Sequence, residues 1–120
     1  MFDHIGLQVT DLAAAVRFYE AALGPLGFML CSRDDTSAGF GPKDAPALWL
    51  YADTRARPGR THVALRAEAR NAVDRFHAAG LDAGGTDNGK PGIRADYSPT
   101  YYAAFVLDPD GNNVEAVTYR

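Results

Sequence analysis

At 120 residues with a net charge of −3, the chain is long enough for one packed domain and too short for two. The mild acidity leaves no basic footprint for nucleic acid or an anionic membrane, and no apolar run reaches membrane-spanning length. A single cysteine, Cys31, excludes an intrachain disulfide and fits a reducing compartment, so the expectation is a soluble, cytoplasmic protein.

In chain order, "HIGLQV" (His4–Val9) predicts a strand. A helix follows, with Thr10 or Asp11 as its cap and Leu12, Ala15, Val16, Tyr19 and Leu23 spaced by three and four; Gly24 and Pro25 end it. Three strand-like runs come next, Gly27–Arg33, Ser37–Gly41 and Pro46–Ala52. Arg55, Arg57 and Arg60 fall in a connection that reads as a solvated loop. "HVALRA" (His62–Ala67) opens a second strand, and Ala69, Ala72, Val73 and Phe76 predict a second helix that stops at Gly80. A weak strand-like run lies near Leu81–Gly84. "GGTDNGKPGIRADYSP" then reads as a long loop or lid, too rich in Gly, Asp and Pro for a strand. The chain closes with strands over Thr100–Asp108 and Asn113–Tyr119, joined by the turn "DPDG".

The two halves repeat. At an offset of 58 positions His4 falls on His62, Leu7 on Leu65, Arg17 on Arg75 and Phe18 on Phe76. Each copy reads strand–helix–strand–strand–strand, so the fold class is α+β, a single domain over 1–120 with modules at about 1–55 and 60–120.

Glu115 sits in the middle of the last strand, where alternation places it on the face opposite Val114 and Ala116. On a solvated face it is an ordinary surface charge; on an inward face it must be paired or bound to a metal. His4 and His62 occupy equivalent places at the two first strands. Pseudo-twofold packing of the modules would bring those strands together, so that both imidazoles converge with the Glu115 carboxylate. Two histidines and one carboxylate leave coordination positions open for substrate or water and suit ions such as Fe, Zn, Ni or Cu. His77 falls on the second helix and reads as a helix residue. Trp49, Tyr97, Tyr101 and Tyr102 are candidate pocket walls, of which adjacent Tyr101 and Tyr102 can contribute only one, and Arg94 could meet an anionic group.

"YYAAFVLDPDGNNVEAV" (Tyr101–Val117), with "DHIGLQVTDLAAAVRFYEAALGPLGF" near the start, resembles the vicinal oxygen chelate superfamily of glyoxalases, extradiol dioxygenases and bleomycin-resistance proteins. The resemblance covers essentially the whole chain. It implies paired βαβββ modules forming a cupped mixed sheet around one divalent ion (Fe, Mn, Ni or Zn), usually in a homodimer. Carried over, the ligands fall on His4, His62 and Glu115, with Glu115 also a candidate base. It further implies a small substrate that chelates the ion through two neighbouring oxygens, in lyase, isomerase or dioxygenase chemistry. The fourth ligand common in glyoxalase I falls on Leu48 or Trp49, neither of which binds metal. The alternative is a non-catalytic protein that sequesters a small molecule or antibiotic.

Overall fold

A computed structural model describes residues 1–57 and 59–120. Its elements run β1 (Ile5–Val9), α1 (Leu12–Leu23), a 3-10 turn (Gly24–Leu26), β2 (Met29–Arg33), β3 (Ser37–Gly41), β4 (Leu48–Ala52), β5 (His62–Arg66), α2 (Arg70–Asp82), β6 (Thr86–Ile93), β7 (Tyr102–Leu107) and β8 (Asn113–Thr118). Two four-stranded mixed sheets result, ordered β1-β4-β3-β2 and β5-β8-β7-β6. In each, the first and last strands of a module pair in parallel across the helix, and the remaining pairs are antiparallel. This is the expected α+β architecture of two βαβββ modules.

Alternation assigns the faces. Leu7, Val9, Leu48, Leu50, Ala38 and Phe40 of the first sheet point to the helices, as do Val63, Ala104, Val106, Val114 and Ala116 of the second. These residues and the inner faces of α1 and α2 form a single core cluster, centred on Phe18, Tyr19 and Phe76, that spans both modules. The Phe18 and Tyr19 rings meet edge to face at 4.9 Å. Asp11 is the cap of α1, its Oδ1 accepting from the Ala14 N–H at 3.0 Å.

The turn expected from "DPDG" locks the modules together. Asp108 is 3 % exposed yet accepts from the Asp110 and Asn112 N–H groups, from Asn112 Nδ2 and from the Tyr19 hydroxyl of α1 at 2.5 Å. Asp110 accepts from Thr10 Oγ1 at 2.6 Å and from the Thr10 N–H, so the end of β1 is tied to the turn before β8. Each of the four carboxylate oxygens finds at least one donor, which makes two buried carboxylates tolerable.

Two expectations need correction. Gly80 does not stop the second helix, which continues to Asp82 and absorbs the weak run near Leu81. Gly80 is there for packing: a Cβ would stand 3.3 Å from Val106 Cγ1 and 3.4 Å from Phe18 Cε1. The reversal falls later, at Gly84 with φ +100°, where the Gly85 N–H closes on the Gly80 carbonyl. Nor is Gly84–Pro99 a structureless lid. Thr86–Ile93 is an edge strand whose register against β7 slips on both sides of Gly89, and Pro91 lies in the second slip, where no ladder donor is required.

Candidate metal centre

His62 and Glu115 come together because β5 and β8 pair in parallel with His62 opposite Asn113 and Ala64 opposite Glu115. Both side chains leave the sheet on the face away from α2. Glu115 is 2 % exposed, so its inward orientation is settled and its carboxylate must be compensated. The Tyr101 hydroxyl donates to Oε1. His62 Nε2 stands 3.1 Å from Oε2. Burial first, then the bond to Glu115, pushes the Tyr101 hydroxyl well above the ordinary phenol range, which keeps it a neutral donor.

The other ring nitrogen decides what that 3.1 Å contact can be. His62 Nδ1 lies 3.1 Å from the Asn113 carbonyl oxygen, which can only accept, so Nδ1 carries a proton. In the neutral ring Nε2 is then a bare lone pair facing a carboxylate oxygen. Two acceptors at that distance need a cation between them, either a second proton on the ring or a metal ion. A backbone carbonyl fixing one imidazole nitrogen is the outer-shell pattern of ligating histidines, and here the remaining nitrogen faces a carboxylate. The pair therefore fits a divalent ion by its chemistry.

These groups open onto a cavity of about 710 Å³ lined by His62, Asp96, Tyr97, Tyr101, Phe105, Asn113 and Glu115. Asp96, Phe105 and Asn113 escaped the sequence reading, although alternation along β7 and β8 puts Phe105 directly opposite Glu115. Tyr119 escaped it too; its ring meets the edge of Tyr101 at 5.3 Å, and Arg66 lies over its face.

The candidate walls divide. Tyr97, 65 % exposed, meets Tyr101 edge to face at 4.9 Å and lines the cavity. Tyr102 is a correction: it faces the other way, its hydroxyl donating to Asp74 at 2.6 Å beneath Arg70 of α2. Arg94 stands 5.4 Å over the Phe105 ring and donates to the Lys90 carbonyl, one ring removed from His62, which lies nearly parallel to Phe105 at 6.3 Å. His77 is a residue of α2, as expected, buried with Nε2 2.8 Å from Asp87 on β6.

The convergence of both imidazoles within one chain does not occur. His4 precedes β1 in the other sheet, bonds Asp3 at 2.6 Å and lines a separate apolar cavity of about 140 Å³ with Phe2, Phe40, Val63 and Leu65. Among the described residues no three His, Cys, Asp or Glu side chains gather into a metal-holding group. The modules pack through their helices and shared core, leaving β1 and β5 in different sheets. Register also resolves the position left open between Leu48 and Trp49. Gly6, the repeat partner of Ala64, pairs with Trp49 as Ala64 pairs with Glu115. An indole thus occupies the place in module one that the carboxylate occupies in module two.

Duplicated βαβββ modules, each a four-stranded mixed sheet with one helix, define a class of paired-module α+β proteins. A family model described as "Glyoxalase/Bleomycin resistance protein/Dioxygenase superfamily" matches residues 1–116, and the chain belongs to this superfamily. It is similar to a glyoxalase/bleomycin resistance protein from Albidiferax ferrireducens, at 30 % identity and TM-score 0.81, over 98 % of this chain and 97 % of that one. Two further likenesses are of fold: a glyoxalase-related enzyme from Fulvimarina pelagi (22 % identity, TM-score 0.72, 94 % and 84 % covered) and glyoxalase I from Zea mays (23 %, 0.74, 97 % and 45 %). The chain spans under half of the maize protein. A comparison with curated proteins finds no match. Among the described residues no helix is long and apolar enough to cross a membrane.

Proposed function

We propose that the chain is a metal-dependent enzyme whose centre is shared between two copies in a homodimer. His62 and Glu115 come from one copy and His4 from the other. The observation that supports this reading is His62 Nε2 standing 3.1 Å from the buried Glu115 Oε2, with Nδ1 facing the Asn113 backbone carbonyl. One divalent ion, Fe, Mn, Ni or Zn, would supply a Lewis acid that polarises two neighbouring oxygens of a small substrate, in lyase, isomerase or dioxygenase chemistry.

The chain's own residues do the rest. The Asn113 carbonyl holds the imidazole in one tautomer and orientation. Tyr101 occupies Oε1 of Glu115 and leaves Oε2 for ligation. If Tyr101 turns away, Oε1 is free to take a proton from substrate, which is how Glu115 could serve as a base. Phe105, Tyr97 and Tyr101 supply the aromatic part of the cavity wall around the pair.

Elemental analysis of untagged protein tests the reading: about one ion per chain is expected, lost in His4→Ala, His62→Ala and Glu115→Ala alike. Coexpression of His4→Ala with Glu115→Ala chains separates a shared site from a single-chain one. Mixed dimers regain one intact site only if the centre lies between copies. No metal after anaerobic loading with each of the four ions would sink the enzyme reading. A sequestering protein without catalysis would take its place, a reading favoured by the indole that stands where a fourth ligand would be.

A further inference from the structure

On the open face of the first sheet, Trp49 and Tyr51 alternate to the same side of β4, two residues apart. Their planes are 15° from parallel with centroids 6.5 Å apart, far too wide for rings stacked one on another. They are tiles laid side by side. What lets them lie flat is glycine. A Cβ on Gly39 would fall 2.8–3.0 Å from Cη2, Cζ3 and Cε3 of Trp49, so that ring edge rests on bare β3 backbone. A Cβ on Gly6 would fall 2.8 Å from Tyr51 Cε2, so the second ring covers β1 in the same way. The outer faces remain accessible, Tyr51 being 44 % exposed.

The border of this floor is polar and cationic. Tyr51 borders a cavity of about 420 Å³ together with Gly6, Gln8, Arg57, Arg60 and Thr61, and Trp49 lies just outside it, its ring centroid 6.5 Å from that of Tyr51. Among the described residues neither Arg57 nor Arg60 forms an ion pair, whereas neighbouring Arg55 is matched by Asp53 at 3.5 Å. In a chain with net charge −3, two unmatched guanidinium-bearing residues beside an aromatic floor are a local reversal of sign.

We propose that this floor is a binding site for a small planar anion, a conjugated or aromatic carboxylate whose ring stacks on Trp49 and Tyr51 and whose charge meets Arg57 and Arg60. Flat π-surfaces pair with flat π-surfaces, and guanidinium matches carboxylate geometry. None of these residues is a proposed metal ligand, but His4 leads into β1 of this same sheet, so in the shared dimer proposed above the floor lies beside the metal centre, and the inference deepens that reading by naming a substrate class.

Trp49 is the chain's only tryptophan, so its indole N–H gives one resolvable nuclear magnetic resonance signal that belongs to the floor alone. The test is a titration of that signal in chelator with three probes: 2-naphthoate, the uncharged 2-naphthalenemethanol, and cyclohexanecarboxylate, which is anionic but not planar. Naphthoate should shift the signal saturably, with the alcohol and the cyclohexane acid each weaker by about tenfold or more. Tyr51→Leu and the double variant Arg57→Gln/Arg60→Gln should each weaken naphthoate by a similar factor while leaving the rest of the spectrum folded. Equal shifts with all three probes, or naphthoate binding indifferent to both variants, would overturn the proposal. So would an unmoved signal, including one kept silent because a second copy covers the floor, which sedimentation would reveal. Repeating the titration with metal loaded keeps the two ideas apart, because loss of the ion should not abolish the shift.

Discussion

Tyr101 is bonded to the Glu115 carboxylate, and among the described residues its hydroxyl has no other partner. Tyr101→Phe should preserve the fold yet lower metal affinity by about 10–100-fold, as losing an outer-shell partner does. Competition against a calibrated chelator would measure it, and an unchanged affinity would reduce Tyr101 to a pocket wall. His77 and Asp87 make a different kind of pair. The His77 hydrogen bond, then the Gly89 N–H, hold the Asp87 carboxyl below the usual range. A depressed folded-state value means the link adds stability above the unfolded carboxylate value of about 4, and loses it as pH falls through the lower folded one. Wild type should be more stable to urea than Asp87→Asn above about pH 4, with the margin closing as pH falls below it. A margin that persists undiminished well below that pH would refute the assignment. At this scale the sequence was informative about Glu115, because alternation left it either a surface charge or an inward carboxylate that must be compensated, and about His62 through the repeat. It named both Tyr101 and Tyr102 as candidate walls of which one could serve, since adjacent tyrosines on a strand look alike until a sheet gives them opposite faces. Nothing in the pattern distinguished Tyr102, held by Asp74 and Arg70, from its neighbour.

Elements were legible where periodicity and local chemistry agree, as in α1 with its Asp11 cap or in the alternating β7 and β8. They were obscure where glycine serves packing rather than turning. Gly80 looks like a stop signal because the reason for it, Val106 and Phe18 on other elements, is tertiary. Gly80→Ala tests this: the gain in helix propensity is under about 1 kcal/mol, while crowding two fully buried side chains should cost more, for a net loss of about 1–2 kcal/mol by denaturant midpoint. A stabilised variant would show that the neighbours give way. β6 was hidden by its composition. An edge strand with two register slips tolerates Gly and Pro, and Gly89 at φ +154° with Phe105 Cδ2 2.8 Å from a would-be Cβ cannot easily be anything else.

The whole molecule explains why the site was half legible. A repeat predicts equivalent positions but not which copies of them meet, and the helix-mediated packing sends His4 away from its counterpart. If a second copy supplies the missing ligand, metal content must follow association. Dilution through the dimer range should release the ion, and added metal should drive dimerisation by the same coupling. Dialysis equilibrium at graded protein concentrations, with sedimentation alongside, measures both. A metal stoichiometry independent of dilution in a monomeric sample would exclude the shared centre.

The buried turn at Asp108–Asp110 bears on how such a chain could have arisen. Tyr19 and Thr10 of the first module hand their donors to a loop of the second, and the Phe18, Tyr19 and Phe76 faces meet in one core. A lone module would expose that seam, so an ancestor of half this length could have been stable only as a pair of identical chains, with today's linker a late convenience. The seam, not the covalent bridge, should therefore hold the halves together. Two separately expressed halves, 1–55 and 60–120, are expected to recombine on mixing into a complex with the intact chain's circular dichroism and cooperative melt. Asp110→Ala should weaken that reunion by about 1–3 kcal/mol. Halves that fold separately and ignore each other would place the ancestral boundary elsewhere.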